Sequence, residues 1–210
     1  FCGRPIVHHA IETAVSSGLF GRIIVTTDSE RIAEVARAGG AEVPFLRGRK
    51  NSDDHATLAS AVIEVVERLD QEGRSPDHLC CLLATAPLVN PGLLEASWKQ
   101  LAEDGLDAVV SVQRFQYPIQ RALRVNKDGL LEMMWPEYQK TRSQDLEPAW
   151  HDAGQFYWVS RTALLQHGRL IAGRAAGYPL GPLDAVDIDT PEDWAMAEQL
   201  YALRQHVEGR

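Results

Sequence analysis

The sequence is poor in basic residues, in cysteine and in long apolar runs. Its 210 residues contain 21 Lys and Arg against 29 Asp and Glu, which gives a formal net charge of −8. This balance disfavours a nucleic-acid-binding protein, because such a protein needs a concentrated basic patch. No apolar run approaches the ~18 residues that a membrane-spanning helix requires. These shortages leave an acidic globular protein as the class to consider.

The cysteines do not suit a disulfide framework, because there are three of them and two are adjacent, Cys80 and Cys81. The histidines are scattered, and no group of Cys and His has the spacing of zinc ligands. We therefore expect free thiols and a cytoplasmic location. An apolar fraction of 45% and a charged fraction of 24% are typical of a folded globular domain.

Short β-branched runs alternate with amphipathic segments along most of the chain, which is typical of βα units. The predicted strands are 22–27, 79–83, 108–112, 155–160 and 185–188. The predicted helices are 6–15, 29–38, 56–72, 90–103 and 190–206. This order predicts a single α/β domain over residues 1–210, with a mainly parallel sheet and helices on both of its faces.

The βα alternation stops at about residues 113–150, which are rich in proline and aromatic residues. Asn126–Gly129 lies between two short apolar segments, 122–125 and 130–135, and predicts a hairpin turn. We expect a small antiparallel insertion here. Its apolar side chains either form a local core or contact a second copy of the chain.

Asp187 and Asp189 flank Ile188 at the end of the last predicted strand. Side chains alternate along a strand, so the two carboxylates are expected to share one face. Carboxylate oxygens at such a position are suitable ligands for Mg²⁺. The alternative is that Asp189 only supports the start of the following helix and Asp187 is solvated.

Ala84, Thr85, Ala86 and Pro87 follow the most apolar predicted strand. In open α/β sheets, ligands bind at the carboxyl ends of the strands, and small residues there let a ligand approach the backbone. Thr85 adds a hydroxyl for hydrogen bonding. An ordinary βα loop, in which Pro87 only directs the chain, explains the same residues.

Arg47 is a candidate for binding a phosphate or a ribose, with Asp54 or Thr57 orienting the ligand. Asp53 and Asp54 suit a helix start equally well. Asp28 ends its predicted strand at the same edge of the sheet, where a capping role in the next turn competes with a ligand role.

Polar residues are dense in segment 141–146 and at the start of segment 151–158, which leads into a predicted strand. Arg142 and His151 are candidates for holding a substrate carboxylate, which Arg can bind with two parallel hydrogen bonds. A lone histidine is otherwise more often structural, so His151 counts only together with its neighbours.

Taken together and in order, six segments resemble the acylneuraminate cytidylyltransferase family. They are FCGRPI at the start, IVTTD at 24–28, VPFLR at 43–47, SDD at 52–54, ATAP at 84–87 and DIDTPEDW at 187–194. The loop at 84–87 and the segment HDAGQFYW at 151–158 are similar to the pseudaminate branch of that family. The resemblance spans nearly the whole chain.

The resemblance implies a Rossmann-like nucleotidyltransferase that transfers CMP from CTP to the anomeric hydroxyl of a nine-carbon α-keto acid sugar, in this branch pseudaminic acid, and releases pyrophosphate. It implies that Asp187 and Asp189 are the catalytic pair and hold Mg²⁺, and that the insertion forms a homodimer. The implied nucleotide-binding residues are Asp28, Arg47, Asp54, Thr57, Ala84, Thr85 and Ala86. The implied sugar-binding residues are Arg142, Gln144, His151 and Gln155.

A glycine-rich basic loop precedes the FCGRPI segment in the family, and we expect that loop and its strand to lie upstream of Phe1. Three other acid sugars remain as alternative substrates, namely sialic, legionaminic and ketodeoxyoctonic acid. A catalytically silent sugar-nucleotide-binding domain is an alternative of a different class.

Overall fold

A computed structural model describes residues 1–53 and 56–208, and within them helices and strands are mixed along the chain. The α-helices are α1 Ile6–Ser17, α2 Glu30–Ala38, α3 Leu58–Gln71, α4 Pro91–Glu103, α5 Arg161–His167 and α6 Pro191–Glu208. The strands are β1 His78–Leu82, β2 Ala108–Arg114, β3 Leu123–Val125, β4 Leu131–Met133, β5 Trp150–Ser160 and β6 Ala175–Pro179.

The main sheet has the strand order β1-β5-β2-β6. Strand β5 runs antiparallel to both of its neighbours, and β6 pairs parallel with β2. Strands β1, β2 and β6 therefore point the same way, and the α/β class is confirmed. The pairing differs from the expected mainly parallel ladder, because β5 lies between β1 and β2 and makes two of the three pairings antiparallel.

The predicted helices form where their end signals stand. The Ser29 hydroxyl accepts a hydrogen bond from the backbone of Ile32 at the start of α2, and the Asn90 side chain does the same for α4. Gly18 ends α1 in the left-handed conformation, with φ 63°. These caps confirm the predicted helix positions to within a few residues.

Two predicted strands are not strands in the structure. Segment 22–27 makes a single parallel bridge, between Ile24 and Glu42, and segment 185–188 joins no ladder within residues 1–53 and 56–208. A β-branched run becomes a strand only when a neighbour supplies a matching backbone edge. Conversely, β6 and α5 form without having been predicted, because β6 contains Gly and Pro and α5 has only seven residues.

Helices cover both faces of the sheet, as predicted. On one face, Val110 and Val159 pack against Val66 of α3 and Leu164 of α5. On the opposite face, the side chains of Val109, Phe156 and Trp158 come from the alternate strand positions. They pack with Leu94 and Leu101 of α4 and with Ala86 of the loop after β1. The alternation along β2 and β5 therefore builds two apolar layers around one sheet.

The insertion contains the predicted hairpin, with β3 paired antiparallel to β4. The turn is closed by Asn126, whose side-chain oxygen accepts hydrogen bonds from the backbone of Asp128 and Leu130. One surface of the hairpin, here called the apolar hairpin face, carries Leu123, Val125, Leu131 and Met133.

All three cysteines are free thiols in the structure, as expected from their number and spacing. Burial raises the pKa of the Cys81 thiol to about 11, so this side chain is protonated at neutral pH. Among the described residues, no helix is long and apolar enough to cross a membrane.

A buried hydrogen bond joins α4 to the sheet. The indole Nε1 of Trp158 donates to the Ser97 hydroxyl at 2.9 Å, and that hydroxyl donates to the Leu93 carbonyl at 2.7 Å. Ser97 is fully buried and Trp158 is 3% exposed, so no water can replace either partner.

We predict that Ser97→Ala lowers the free energy of unfolding by about 1–3 kcal/mol, because it leaves the Trp158 N–H buried without an acceptor. Urea denaturation followed by tryptophan fluorescence measures the change. Ser60→Ala, which removes a hydroxyl from the half-exposed first turn of α3, is the control and is expected to cost less than about 0.5 kcal/mol. Equal losses in the two variants would contradict the prediction.

Candidate active site

A bulge in β5 organises the candidate site. The pairing of β2 with β5 shifts between Val110, which faces Tyr157, and Val112, which faces Asp152. Gly154 lies inside the bulge with φ +61°, a left-handed conformation that other residues rarely adopt. Bulges re-aim side chains and are frequent next to active sites.

The Ser111 hydroxyl of β2 holds the bulge in place. It is fully buried and accepts hydrogen bonds from the backbone N–H groups of Gln155, at 3.3 Å, and Phe156, at 3.0 Å. Two backbone donors that the regular ladder would have paired are thereby satisfied by a side chain.

Gln155 connects the bulge to the segment that carries Asp187. Its side-chain amide donates to the carbonyl oxygens of Ala153, at 2.8 Å, and Val186, at 3.3 Å, while the amide oxygen is buried without a hydrogen-bond partner in the described residues. Its backbone carbonyl accepts from Leu83 at 2.9 Å. The bulge therefore brings the 84–87 loop and the Asp187 segment to the same place.

Asp187 lies directly above Gly154. A Cβ atom added to Gly154 would stand 3.9 Å from the Asp187 carboxylate. Burial, more than any other cause, raises the pKa of the nearby Tyr157, and the charge of Asp187 makes a small contribution. The larger causes of the raised Tyr157 pKa are burial and the hydrogen bond to Asp152, and together they keep the phenol protonated at neutral pH.

The start of α6 leaves the carboxylate of Asp189 unused. The Asp193 side chain accepts hydrogen bonds from the backbone of Asp189 and from the backbone and hydroxyl of Thr190, and the Thr190 hydroxyl accepts from the Asp193 N–H. This reciprocal arrangement is a capping box. The hydrogen bonds from Thr190 lower the pKa of the Asp193 carboxyl. The helix start is thus capped without the Asp189 side chain.

Asp187 and Asp189 fit a magnesium ion by their chemistry. Both are exposed, and neither carboxylate makes a hydrogen bond or ion pair with another described residue. No group of three or more His, Cys, Asp and Glu in the described residues is arranged to hold a metal. Mg²⁺ needs no such group, because it is usually bound by one or two carboxylates together with water and substrate phosphates.

Arg47 and Asp28 form a second polar group. The Arg47 backbone N–H donates to the Thr27 carbonyl at 2.8 Å, and its guanidinium lies 4.0 Å from the Asp28 carboxylate. The guanidinium Nε donates to the Ser52 hydroxyl at 3.3 Å. Arg47 thus keeps donors for an anion, and its backbone position is fixed.

Glu64 of α3 orders the loop that follows Arg47, a role that the sequence did not indicate. Its carboxylate accepts from the Gly48 backbone at 3.0 Å and from the Asn51 side chain at 2.7 Å. These hydrogen bonds, with that from Asn51 the largest cause, lower the pKa of Glu64.

Two further predicted nucleotide-binding residues lie near the start of α3. The Thr57 hydroxyl caps α3 by accepting a hydrogen bond from the backbone of Ser60, and Asp54 lies outside the described residues.

The 84–86 loop presents two of its three predicted residues. Ala84 and Thr85 are exposed, whereas Ala86 is 1% exposed and packs in the core beside α4. The Ala86 N–H is bonded to the Leu83 carbonyl at 3.2 Å. The surface that a ligand meets here is therefore that of Ala84 and Thr85.

The predicted sugar-binding residues lie in two places. Arg142 and Gln144 are exposed around a short 3₁₀ helix of the insertion, and in the described residues no hydrogen bond or ion pair joins their side chains to the Asp187 segment. His151 is exposed on β5, with its ring 4.9 Å from that of Phe115. Gln155 is 1% exposed.

The structure adds Asp152 and Tyr157 to the residues singled out in the sequence. The Tyr157 hydroxyl donates to Asp152 at 2.7 Å, and the Gly154 N–H donates to the other carboxylate oxygen at 2.9 Å. The available signal was Gly154, directly before the predicted strand 155–160, since a glycine within or beside a strand often marks a bulge.

Comparison with known proteins places the chain in a family. The model of the cytidylyltransferase family matches residues 1–210. A pseudaminic acid cytidylyltransferase of Campylobacter jejuni (serotype O:23/36, strain 81-176) is 37% identical over 201 residues, which are 96% of this chain and 87% of that protein. An N-acylneuraminate cytidylyltransferase A of Danio rerio is 30% identical over 94% of this chain and 45% of its own length.

A solved structure supports the fold independently. It is a CMP-2-keto-3-deoxy-manno-octonic acid synthetase complexed with CTP, which aligns with a TM-score of 0.66 and 17% identity. The alignment covers 96% of this chain and 89% of that one. The resemblance noted in the sequence is confirmed, and the chain belongs to the cytidylyltransferase family.

Proposed function

We propose that this protein transfers CMP from CTP to the anomeric hydroxyl of pseudaminic acid, a nine-carbon α-keto acid sugar, and releases pyrophosphate. The observation that carries the proposal is the pair of exposed carboxylates, Asp187 and Asp189, in a chain of this family. Gln155 connects their segment to Leu83, the residue before the 84–86 loop, by hydrogen bonds to both. The sugar is proposed from the relative that is 37% identical over most of both chains.

The nucleotide is proposed to lie along the Arg47–Asp28 group and the 84–86 loop. Arg47 offers guanidinium N–H donors to phosphate or ribose oxygens, and Glu64 keeps its loop in place. Thr85 offers a hydroxyl, and Ala84 lets a ring or ribose approach the backbone. Asp54, Thr57 and Ala86 remain predicted contacts of the nucleotide. Because Ala86 is buried and the Thr57 hydroxyl caps α3, we expect the contacts at these two positions to be made by backbone groups.

Asp187 and Asp189 are proposed to hold Mg²⁺, which would neutralise phosphate charge when bound. The anomeric oxygen attacks the α-phosphorus and loses its proton to water, while the bond from that phosphorus to the pyrophosphate oxygen breaks and pyrophosphate leaves with the electron pair. The protein contributes mostly by positioning and by electrostatic stabilisation, as in other phosphoryl transfers. Arg142, Gln144 and His151 remain the predicted contacts on the sugar side. Gln155, also predicted there, is 1% exposed and supports the site from the interior through its bond to Val186.

A cytoplasmic location and a homodimer complete the proposal. Free thiols at all three cysteines agree with a reducing compartment, and CTP is a substrate made inside cells. The dimer is proposed to form through the apolar hairpin face. Leu123, Val125 and Leu131 are 54%, 66% and 69% exposed on a two-stranded hairpin that is too small to be stable alone.

We expect Asp187→Asn and Asp189→Asn each to lower the rate of pyrophosphate release by ~10²-fold or more, because each removes a charge that would bind the metal. A pyrophosphatase-coupled phosphate assay with CTP, acid sugar and varied Mg²⁺ measures the rate. Asp104→Asn, at the exposed end of α4, is the matched control and keeps the wild-type rate. Wild-type rates in both site variants would contradict the assignment.

The choice of sugar is tested by offering pseudaminic, N-acetylneuraminic and N,N′-diacetyllegionaminic acid to the full-length protein in separate reactions with CTP and Mg²⁺. We expect pyrophosphate release with pseudaminic acid and little with the other two. Release with only one of the others would keep the reaction and correct the substrate. The absence of release with all three, in a protein that binds CTP, would favour a catalytically silent domain.

The dimer is tested by Leu131→Glu, which places a charge in the centre of the apolar hairpin face. We expect light scattering coupled to size exclusion to give a dimeric mass for the wild type and a monomeric mass for the variant. Lys127→Glu adds the same side chain at the hairpin turn, away from that face, and should stay dimeric. A monomeric wild type, or a dimeric Leu131→Glu variant, would contradict the proposed interface.

A further inference from the structure

Asp152 stands out among the carboxylates near the candidate site, because it is exposed and yet fixed in orientation. One carboxylate oxygen accepts from the Gly154 N–H at 2.9 Å, and the other accepts from the Tyr157 hydroxyl at 2.7 Å. Tyr157 is only 6% exposed and belongs to the core of the sheet. A side chain held by a backbone group and a buried phenol has little freedom, which suits it for recognising a ligand.

The position of Asp152 relates it to the proposed metal-binding pair. The backbone N–H of Gly154 donates to Asp152, and the same residue lies next to the Asp187 carboxylate. The negative charges of Asp152 and Asp187 both contribute to the raised pKa of Tyr157, after its burial. Asp152 does not itself join Asp187 and Asp189 in a group arranged to hold a metal, as judged over the described residues. Asp152 also differs from that pair because its carboxylate already accepts two hydrogen bonds, whereas the carboxylates of Asp187 and Asp189 accept none from the described residues.

The charge of Asp152 decides what kind of group it can meet. No Lys or Arg in the described ranges forms an ion pair with it, and its two hydrogen bonds leave further lone pairs on both oxygens. A phosphate or a carboxylate of the substrate would be repelled there. A hydroxyl or an amide N–H would donate a charge-assisted hydrogen bond, which is stronger than one between neutral groups.

We infer that Asp152 binds a hydrogen-bond donor of the acid sugar, a hydroxyl or the N–H of an acylamino group, and that Tyr157 is the positioning residue that orients Asp152. This inference rests on the proposed function. It means that the side of the sugar that carries hydroxyl or N–H groups contacts the bulge of β5. The sugar carboxylate and the phosphates are excluded from this position by the charge of Asp152.

The test uses Asp152→Asn, which keeps the shape of the side chain and removes its charge. We expect the KM for the acid sugar to rise about 10- to 100-fold, as the loss of a charge-assisted hydrogen bond implies, while the KM for CTP changes less than about twofold. Tyr157→Phe is expected to raise the KM for the sugar in the same direction by a smaller factor. The double variant should show less than the product of the two effects, because both act on one hydrogen bond.

A binding measurement keeps this test independent of turnover. Calorimetry with the acid sugar, in the presence of a CTP analogue whose α,β-bridging oxygen is replaced by methylene, should show the same 10- to 100-fold weakening in Asp152→Asn as in the KM. Asp104→Asn serves again as the control and should bind like the wild type. A wild type that binds the sugar without releasing pyrophosphate from CTP would refute the proposed reaction and leave Asp152 testable.

Three results would overturn the inference. The first is an unchanged sugar affinity in Asp152→Asn with a folded protein, as judged by thermal unfolding. The second is an equal loss for CTP and for the sugar, which would indicate a general disturbance of the site. The third is an unchanged sugar affinity in Tyr157→Phe, since Tyr157 would then not be the residue that orients Asp152.

Discussion

The hydroxyl of Ser111 is the contact on which the geometry of the site depends. A regular antiparallel pair would place successive side chains of β5 on alternating faces and leave no room for a turn of the backbone. By accepting two backbone N–H groups of the bulge, Ser111 allows Gly154 to take a left-handed conformation without leaving buried donors unsatisfied. The positions of Asp152, Gln155 and Asp187 all follow from that deviation.

The division of labour at the start of α6 has a similar physical basis. A helix beginning at a site with two aspartates would normally use one of them as its cap. Here Thr190 and Asp193 cap each other, and the helix needs nothing further from the preceding residues. The carboxylates of Asp187 and Asp189 are thereby kept exposed next to a rigid element. Helix capping and the proposed metal binding therefore use different side chains, which lie one to six positions apart.

The sequence predicted the elements better than their pairing. Caps such as Ser29 and Asn90 act over three residues, so α2 and α4 were found from local signals alone. The place of β5 between β1 and β2 depends on contacts between distant residues and leaves no local mark. The same holds for Gln155, a polar residue predicted to meet the substrate, which the structure places in the interior with an amide bonded to Val186. The Asp187–Asp189 pair was predicted from alternation along an extended segment, which is also a local signal, although no strand forms over these residues.

The order of the main sheet bears on how the chain assembles. Strand β1 pairs with β5, with His78 opposite Ser160, and β2 pairs with the other edge of β5. Strands β1 and β2 are therefore joined only through β5. During synthesis, strands β1 and β2 and helices α3 and α4 are made before the strand that joins them, and α5 follows it. Such non-local pairing slows folding, and it leaves the edges of β1 and β2 open to incorrect partners until residue 160 has emerged. The strand that shapes the site is thus also the strand that closes the fold.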